Sequence, residues 1–399
     1  MPKKRKFFVL ALSAFAVMLG MGIIAPLMPL YAENLGASGI WLGIIFASYS
    51  VSRLLFVPII GKMSDSKGRK NIIAIGLFLY SLFSLAYVFA YNEFTLSLAR
   101  FLQGFASAMT LPIIMAVIGD ISPKGKEGRY MGYFNVSRFF GMGLGPMLGG
   151  GLNDVYGINS GFYVLSGLTA LTFVFVLLFL KEEPSPIQKQ KQVVKQSYKK
   201  IWSIKIMRGL LIFRFVSAMG RGSILSFLAI YAFSFGITAF QVGVILMANI
   251  VFLSFLQIPF GKMADKVSKM KMIMIGGAVT IVSLLFMPST GNFYWLLLLN
   301  ILWGTGRAMS IPATSAINTI EGRKFGMGSA MGLFMSALYA GMIIAPLISG
   351  VLMETIGIKY VFYFSGLATF AGVVIFYSYA RGIDLKTKQE GERTVLPND

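Results

Sequence analysis

The sequence predicts an all-α, polytopic membrane protein whose twelve transmembrane helices form two six-helix, pseudo-symmetric bundles. Three observations predict it: an apolar composition, apolar runs of membrane-spanning length, and an internal repeat at one constant offset. The chain of 399 residues is 56% hydrophobic and only 13% charged, with a mean hydropathy of +0.74, well beyond the composition of a water-soluble globule. Such a chain is solvated by lipid.

The apolar runs fall at roughly 7–30, 40–60, 71–90, 95–118, 130–151, 161–180, 209–234, 239–260, 272–289, 293–313, 328–351 and 359–379. Most are about 20 residues long, as the hydrocarbon core of a bilayer requires. The first shows no small-residue cleavage pattern and reads as a retained span rather than a signal peptide.

Twelve spans place both termini on one side, and the basic residues indicate which, because Lys- and Arg-rich loops stay in the cytoplasm. Of the 36 Lys and Arg, 29 lie in the termini and the connections on their side. One, Lys359, lies on the opposite side, and six lie inside spans. Both termini are therefore expected to be cytoplasmic, in the cytoplasmic (inner) membrane. The net charge of +21 reflects this topology. Basic residues scattered over short loops do not make the single basic face that a nucleic acid needs, so no nucleic-acid partner is expected.

Cysteine and histidine are both absent. That excludes disulfides, thiol catalysis and Cys-based metal sites, and it removes the side chain best suited to proton transfer near neutral pH. No phosphate-cradling Gly-x-x-x-x-Gly-Lys-[Ser/Thr] loop occurs either. No enzymatic activity, cofactor or metal is expected.

The repeat has an offset of 200. Gly61-Lys-Met-Ser-Asp65 recurs as Gly261-Lys-Met-Ala-Asp265, and Gly104 with Ala108-Met-Thr-Leu-Pro112 recurs as Gly304 with Ala308-Met-Ser-Ile-Pro312. Gly141, Pro146 and Gly150 return as Gly341, Pro346 and Gly350; Gly20, Gly22, Tyr31 and Gly36 return as Gly220, Gly222, Tyr231 and Gly236. The domains follow: an N-terminal bundle over 1–180, a polar linker over 181–208 with a surface helix around 193–206, a C-terminal bundle over 209–380, and a tail over 381–399. Like-oriented repeats imply a pseudo-two-fold axis along the membrane normal and a cavity between the halves near the midplane.

The short turn between spans two and three reads Gly61-Lys-Met-Ser-Asp65-Ser-Lys-Gly68-Arg69-Lys70. It resembles the signature loop of the major facilitator superfamily. Span five reads Gly141-Met-Gly143-Leu-Gly145-Pro146-Met-Leu-Gly149-Gly150, similar to the helix-five motif of that family's drug and tetracycline antiporters, and Arg100-Phe-Leu-Gln103-Gly104 is similar to the arginine motif that accompanies it. The resemblance covers the whole chain. It implies a monomeric secondary active transporter that exports amphiphilic small molecules by alternating access, with the small-molecule substrate, membrane lipid and the proton as coupling ion for partners.

The resemblance also implies a conformational latch. Asp65 would contact the N-terminal end of span eleven and Arg69 would pair with Asp120 at the end of span four, favouring an outward-facing state and breaking in the inward-facing one. The second half keeps Asp265 but replaces Gly68 and Arg69 with Ser268 and Lys269.

A charge in the hydrocarbon is costly, which makes intramembrane ionisable residues functional candidates. Six are found, all arginine: Arg53, Arg100, Arg138, Arg214, Arg221 and Arg307. With Gln103 they form the candidate substrate cavity. No carboxylate lies near the centre of a span; Glu33, Glu93, Asp154 and Glu354 sit at the outer rim and the rest on the basic side. This departs from cation/proton antiporters of the family, which carry a membrane-embedded acid. An arginine-rich, acid-poor cavity favours a carboxylate or phosphate group. The alternative function is thus a transporter or flippase of an anionic metabolite or lipid, not necessarily coupled to protons. A second reading of Arg53, Arg100 and Arg138 makes them braces bonded to Asn135, Gln103, Ser137 or backbone carbonyls. Arg221 and Arg307 have Met21 and Ser107 as repeat mates, so their charges belong to one half alone.

Overall fold

The computed structural model describes residues 3–123, 127–180, 198–289, 291–325 and 327–381. Among them the chain forms fourteen α-helices and no strand: α1 (Lys3–Asn34), α2 (Gly39–Lys67), α3 (Arg69–Ala86), α4 (Glu93–Ala108), α5 (Leu111–Ile121), α6 (Glu127–Tyr156), α7 (Asn159–Phe179), α8 (Tyr198–Ser203), α9 (Lys205–Phe233), α10 (Ala239–Lys266), α11 (Lys269–Phe286), α12 (Phe293–Phe325), α13 (Met327–Thr355) and α14 (Lys359–Ala380). Ten stretches are long and apolar enough to cross a membrane. The other two spans, α6 and α12, have crossing lengths of 30 and 33 residues but dilute their hydropathy with glycines, polar ends and two arginines each.

Eleven of the expected spans are single helices. Span four is divided at Met109 and Thr110 into α4 and α5, where Thr110 adopts φ −105° and ψ −86°. Pro112 offers no N–H and its ring crowds the carbonyl of the residue four before it, Ala108, so the helix ends there and restarts. The matching Pro312 lies inside an unbroken α12. In the linker, α8 covers part of the expected surface helix and stops at Ser203; residues 181–197, where that helix is expected to begin, and the tail over 382–399 lie outside the described residues.

The offset of 200 governs the geometry. Tyr31 donates to the carbonyls of Tyr87 (2.8 Å) and Ala90 (3.2 Å), and Tyr231 donates to those of Met287 (3.3 Å) and Pro288 (2.9 Å). Each tyrosine ties the first helix of its half to the end of the third. Of the five glycines with positive φ, four form two offset pairs: Gly36 (77°) with Gly236 (72°), and Gly157 (79°) with Gly357 (106°). The fifth, Gly68 (88°), turns α2 into α3; its mate Ser268 has φ −56° and makes a different turn.

The halves meet unevenly along the membrane normal. At the end opposite the termini, a β-carbon on Gly39 would lie 2.7 Å from the carbonyl oxygen of Gly350, and glycines at 43, 150, 243 and 350 likewise abut the backbone of the other half. Such small-residue contacts let backbones approach closely. At the basic end, a β-carbon on Gly61, Gly132, Gly261 or Gly332 would meet nothing within 4 Å. There Ile59, Val136 and Ile258 are 60–66% exposed. The bundles are thus closed at the far end and splayed at the basic end.

Candidate substrate cavity

Five of the seven cavity candidates belong to one group of arginines that reaches across the divide between the halves. Arg53 on α2 donates to Ser107 Oγ (3.2 Å) and Tyr49 Oη (3.4 Å) of its own half, while its guanidinium lies 5.5 Å from the ring of Tyr339 on α13, across the divide. Arg138 on α6 donates to Asn135 Oδ1 (3.2 Å) and sits beside Phe134 and Phe139. Arg214 on α9 lies over Phe334 at 4.5 Å, and Arg307 on α12 over Trp303 at 4.7 Å.

Tyr339 is the hub. Its electrostatic reach includes Arg53, Arg138, Arg214 and Arg221. Arg221 is also in the field of Arg138 and Arg53 from the first half, and Arg307 in that of Arg221 and Arg214. The Nε atoms of Arg53, Arg138 and Arg214 are buried without a hydrogen-bond partner. The described ion pairs, Arg69–Asp120 and Glu321–Lys324, lie elsewhere. Like charges gathered without a counter-charge among the described residues repel one another. This arrangement attracts an anion.

The other two candidates are differently placed, which corrects the expectation that all seven line the cavity. Arg100 is 8% exposed and Gln103 fully buried. Arg100 donates to Gln103 Oε1 (3.1 Å), which also accepts from Tyr87 Oη (2.5 Å), and Gln103 Nε2 donates to Ser84 Oγ (3.3 Å). The guanidinium faces the rings of Tyr49 (4.9 Å) and Phe46 (5.4 Å). Both residues therefore join α2, α3 and α4 inside the first half. Tyr339 and Tyr49 were missed from sequence: aromatic residues are abundant here, and nothing in their spacing marks these two.

The helix-five motif packs in two directions. A β-carbon on Gly141, Gly145 or Gly149 would collide with the carbonyl oxygens of Phe15, Leu19 and Ile23 of α1, one turn apart in each helix, while one on Gly150 would strike Ala239 of α10. Pro146 lies inside α6, its carbonyl against Gly243. In the loop between α2 and α3, Arg69 and Asp120 form an ion pair joining the start of α3 to the end of α5. That pair lies within one half and is formed while the basic end is splayed, so it braces the turn in this state. The side chain of Asp65 lies outside the described residues, and Asp265 is exposed in the last turn of α10. A separate cavity of about 380 Å³ sits at the far-end rim, lined by Glu33, Ser38, Gly39, Leu42, Ile230 and Glu354.

Two pseudo-symmetric bundles of membrane-crossing helices, tight at one end and open at the other around a charged slot, define a multi-pass membrane carrier. The chain belongs to the Major Facilitator Superfamily, whose model matches residues 10–214 and again 210–397. It is a transporter and not an enzyme. It is 31% identical over 383 residues to the MFS-type transporter MJ1560 of Methanocaldococcus jannaschii, covering 95% of this chain and 98% of that one. To the quinolone resistance protein NorA of Staphylococcus aureus it is 27% identical over 376 residues, covering 93% and 95%. Its fold is that of a bacterial homologue of the human lysosomal transporter Spinster in an inward-facing, unoccupied conformation, with a TM-score of 0.84 at 12% identity, covering 95% of this chain and 97% of that one.

Proposed function

We propose that this transporter is an efflux antiporter of the cytoplasmic membrane, with both termini in the cytoplasm, exporting amphiphilic small molecules by alternating access in exchange for protons. The carrying observation is the uneven meeting of the two halves, with backbone contact at the far end and exposed helix faces at the basic end. Under the positive-inside topology this is an inward-open carrier ready to load from the cytoplasm. The glycine stripe of α6 joins α1 in its own half to α10 in the other, so rocking of the halves bears on this helix. The likeness to a quinolone resistance protein over nearly the whole chain supports export.

The test is proton movement in everted vesicles holding a pH gradient. Adding a transported amphiphile is expected to dissipate the gradient in vesicles containing the protein and not in control vesicles. A flat record across panels of cationic, neutral and anionic amphiphiles overturns proton antiport.

A further inference from the structure

We infer that the cluster of Arg53, Arg138, Arg214, Arg221 and Arg307 forms an anion subsite that takes a phosphate-like head group, a compact dianion with several oxygens, borne on an apolar tail. This deepens the proposed function and rests on its reading of the slot as the substrate cavity.

The subsite is built from both halves. Arg53 and Arg138 come from α2 and α6, Arg214 and Arg221 from α9, and Arg307 from α12. Arg214 and Arg221 are seven residues apart, two helical turns on one face. No hydrogen bond of Arg214, Arg221 or Arg307 occurs among the described residues, whereas the guanidinium of Arg100 is bonded to Gln103. Planar guanidinium forks approaching from several helices suit a tetrahedral, multi-oxygen anion better than one carboxylate, which a single fork satisfies. A dianion neutralises more of the cluster than a monoanion does. Phe334, Trp303 and Tyr339 supply an aromatic wall against these cations, a surface on which an alkyl or aryl tail packs.

The cluster also has a signature in stability. A guanidinium that braces the fold loses hydrogen bonds when replaced, and the protein weakens; a guanidinium held among like charges for a missing ligand relieves repulsion when replaced, and the protein gains. The two roles thus predict opposite signs.

The experiment uses the full chain, purified in neutral detergent and in nanodiscs. Binding is measured by calorimetry with decyl phosphate, decanoate, decyltrimethylammonium and inorganic phosphate, and the thermal midpoint is recorded with and without each. The expected result is that decyl phosphate binds at least tenfold tighter than decanoate or decyltrimethylammonium and raises the midpoint. Weak competition by inorganic phosphate would assign recognition to the head group, and its absence to the intact lipid-like molecule; either agrees with the subsite. Arg221→Gln and Arg307→Gln should each lower decyl phosphate affinity at least tenfold while leaving the ligand-free midpoint equal or higher, whereas Arg100→Gln should lower the midpoint. Equal or tighter binding of the cation, preference for decanoate, or retained decyl phosphate affinity in both glutamine variants overturns the proposal. Proton-coupled efflux of cations alongside such a result would leave the antiporter reading standing. Phosphate-selective binding without proton movement would overturn antiport and leave the subsite standing.

Discussion

Asp154 and Glu354 stand 200 residues apart and make the same contact in opposite directions. Asp154 Oδ2 accepts from the backbone N–H of Phe240 at the start of α10 (3.0 Å), and Glu354 Oε1 accepts from that of Ile40 at the start of α2 (3.0 Å). Each carboxylate ends a helix of one half and caps a helix of the other, where free N–H groups and the helix dipole favour a negative charge. The far end is thus clasped twice across the pseudo-symmetry axis.

Removing either clasp should favour opening of the far end. The chain contains no cysteine, so a single cysteine introduced at Leu42, which is 2% exposed at this closed end, reports opening without background. Asp154→Asn and Glu354→Gln are each expected to raise its labelling by a membrane-impermeant maleimide roughly two- to fivefold, the scale of exposed helix-end charges. The double variant should roughly multiply the two effects. Unchanged labelling in the double variant would reject the clasp.

The glycines of α6 should be intolerant of even one methyl group where α1 passes. Gly145→Ala forces its new carbon against the carbonyl of Leu19 and to 2.6 Å from the Cα of Gly22, an overpacking cost of about 1–3 kcal/mol. Gly119→Ala in α5 meets nothing within 4 Å and should be neutral or stabilising by up to about 1 kcal/mol, since glycine is a poor helix former. Thermal midpoints of the two purified variants decide the matter.

Gln103 holds the interior of the first half. Gln103→Leu leaves the hydroxyl of Tyr87 and the guanidinium of Arg100 without the acceptor they share, a loss of roughly 1–3 kcal/mol. A lowered thermal midpoint is expected, with no selective change in ligand affinity among the proteins that remain folded.

The paired tyrosines offer a measure of the symmetry. Tyr31→Phe and Tyr231→Phe each remove a hydroxyl that serves two carbonyls, so each should destabilise by about 1 kcal/mol. The double variant should show the sum, because the sites lie in different halves and share no partner. Thermal or denaturant unfolding in detergent measures it.

Much of this was legible in the sequence because apolar length and repetition are one-dimensional signals. The spacing that matches Tyr31 to Tyr231 and Gly36 to Gly236 carries directly into hydrogen bonds and backbone angles. The i, i+3 contacts Arg100–Gln103 and Arg138–Asn135 follow from helical periodicity. What depends on docking was not legible. Tyr339 has Phe139 as its repeat mate, and only the approach of α13 to α2 makes it a neighbour of Arg53. Asp154 and Glu354 were placed at the rim, but the helices they cap belong to the other half. The break before Pro112 was likewise hidden, since the same proline in the second half leaves α12 whole.

The unpaired guanidiniums bear on how the carrier resets after unloading. In the form open at its basic end, water and mobile ions reach the slot and screen the mutual repulsion of the five charges. During an occluded passage the walls exclude most of that screening. A return stroke without the exported substrate then encloses the uncompensated cluster and is slow, unless a small anion is enclosed as ballast. Turnover should accordingly run faster in chloride than in gluconate, an anion too bulky to be enclosed as simply.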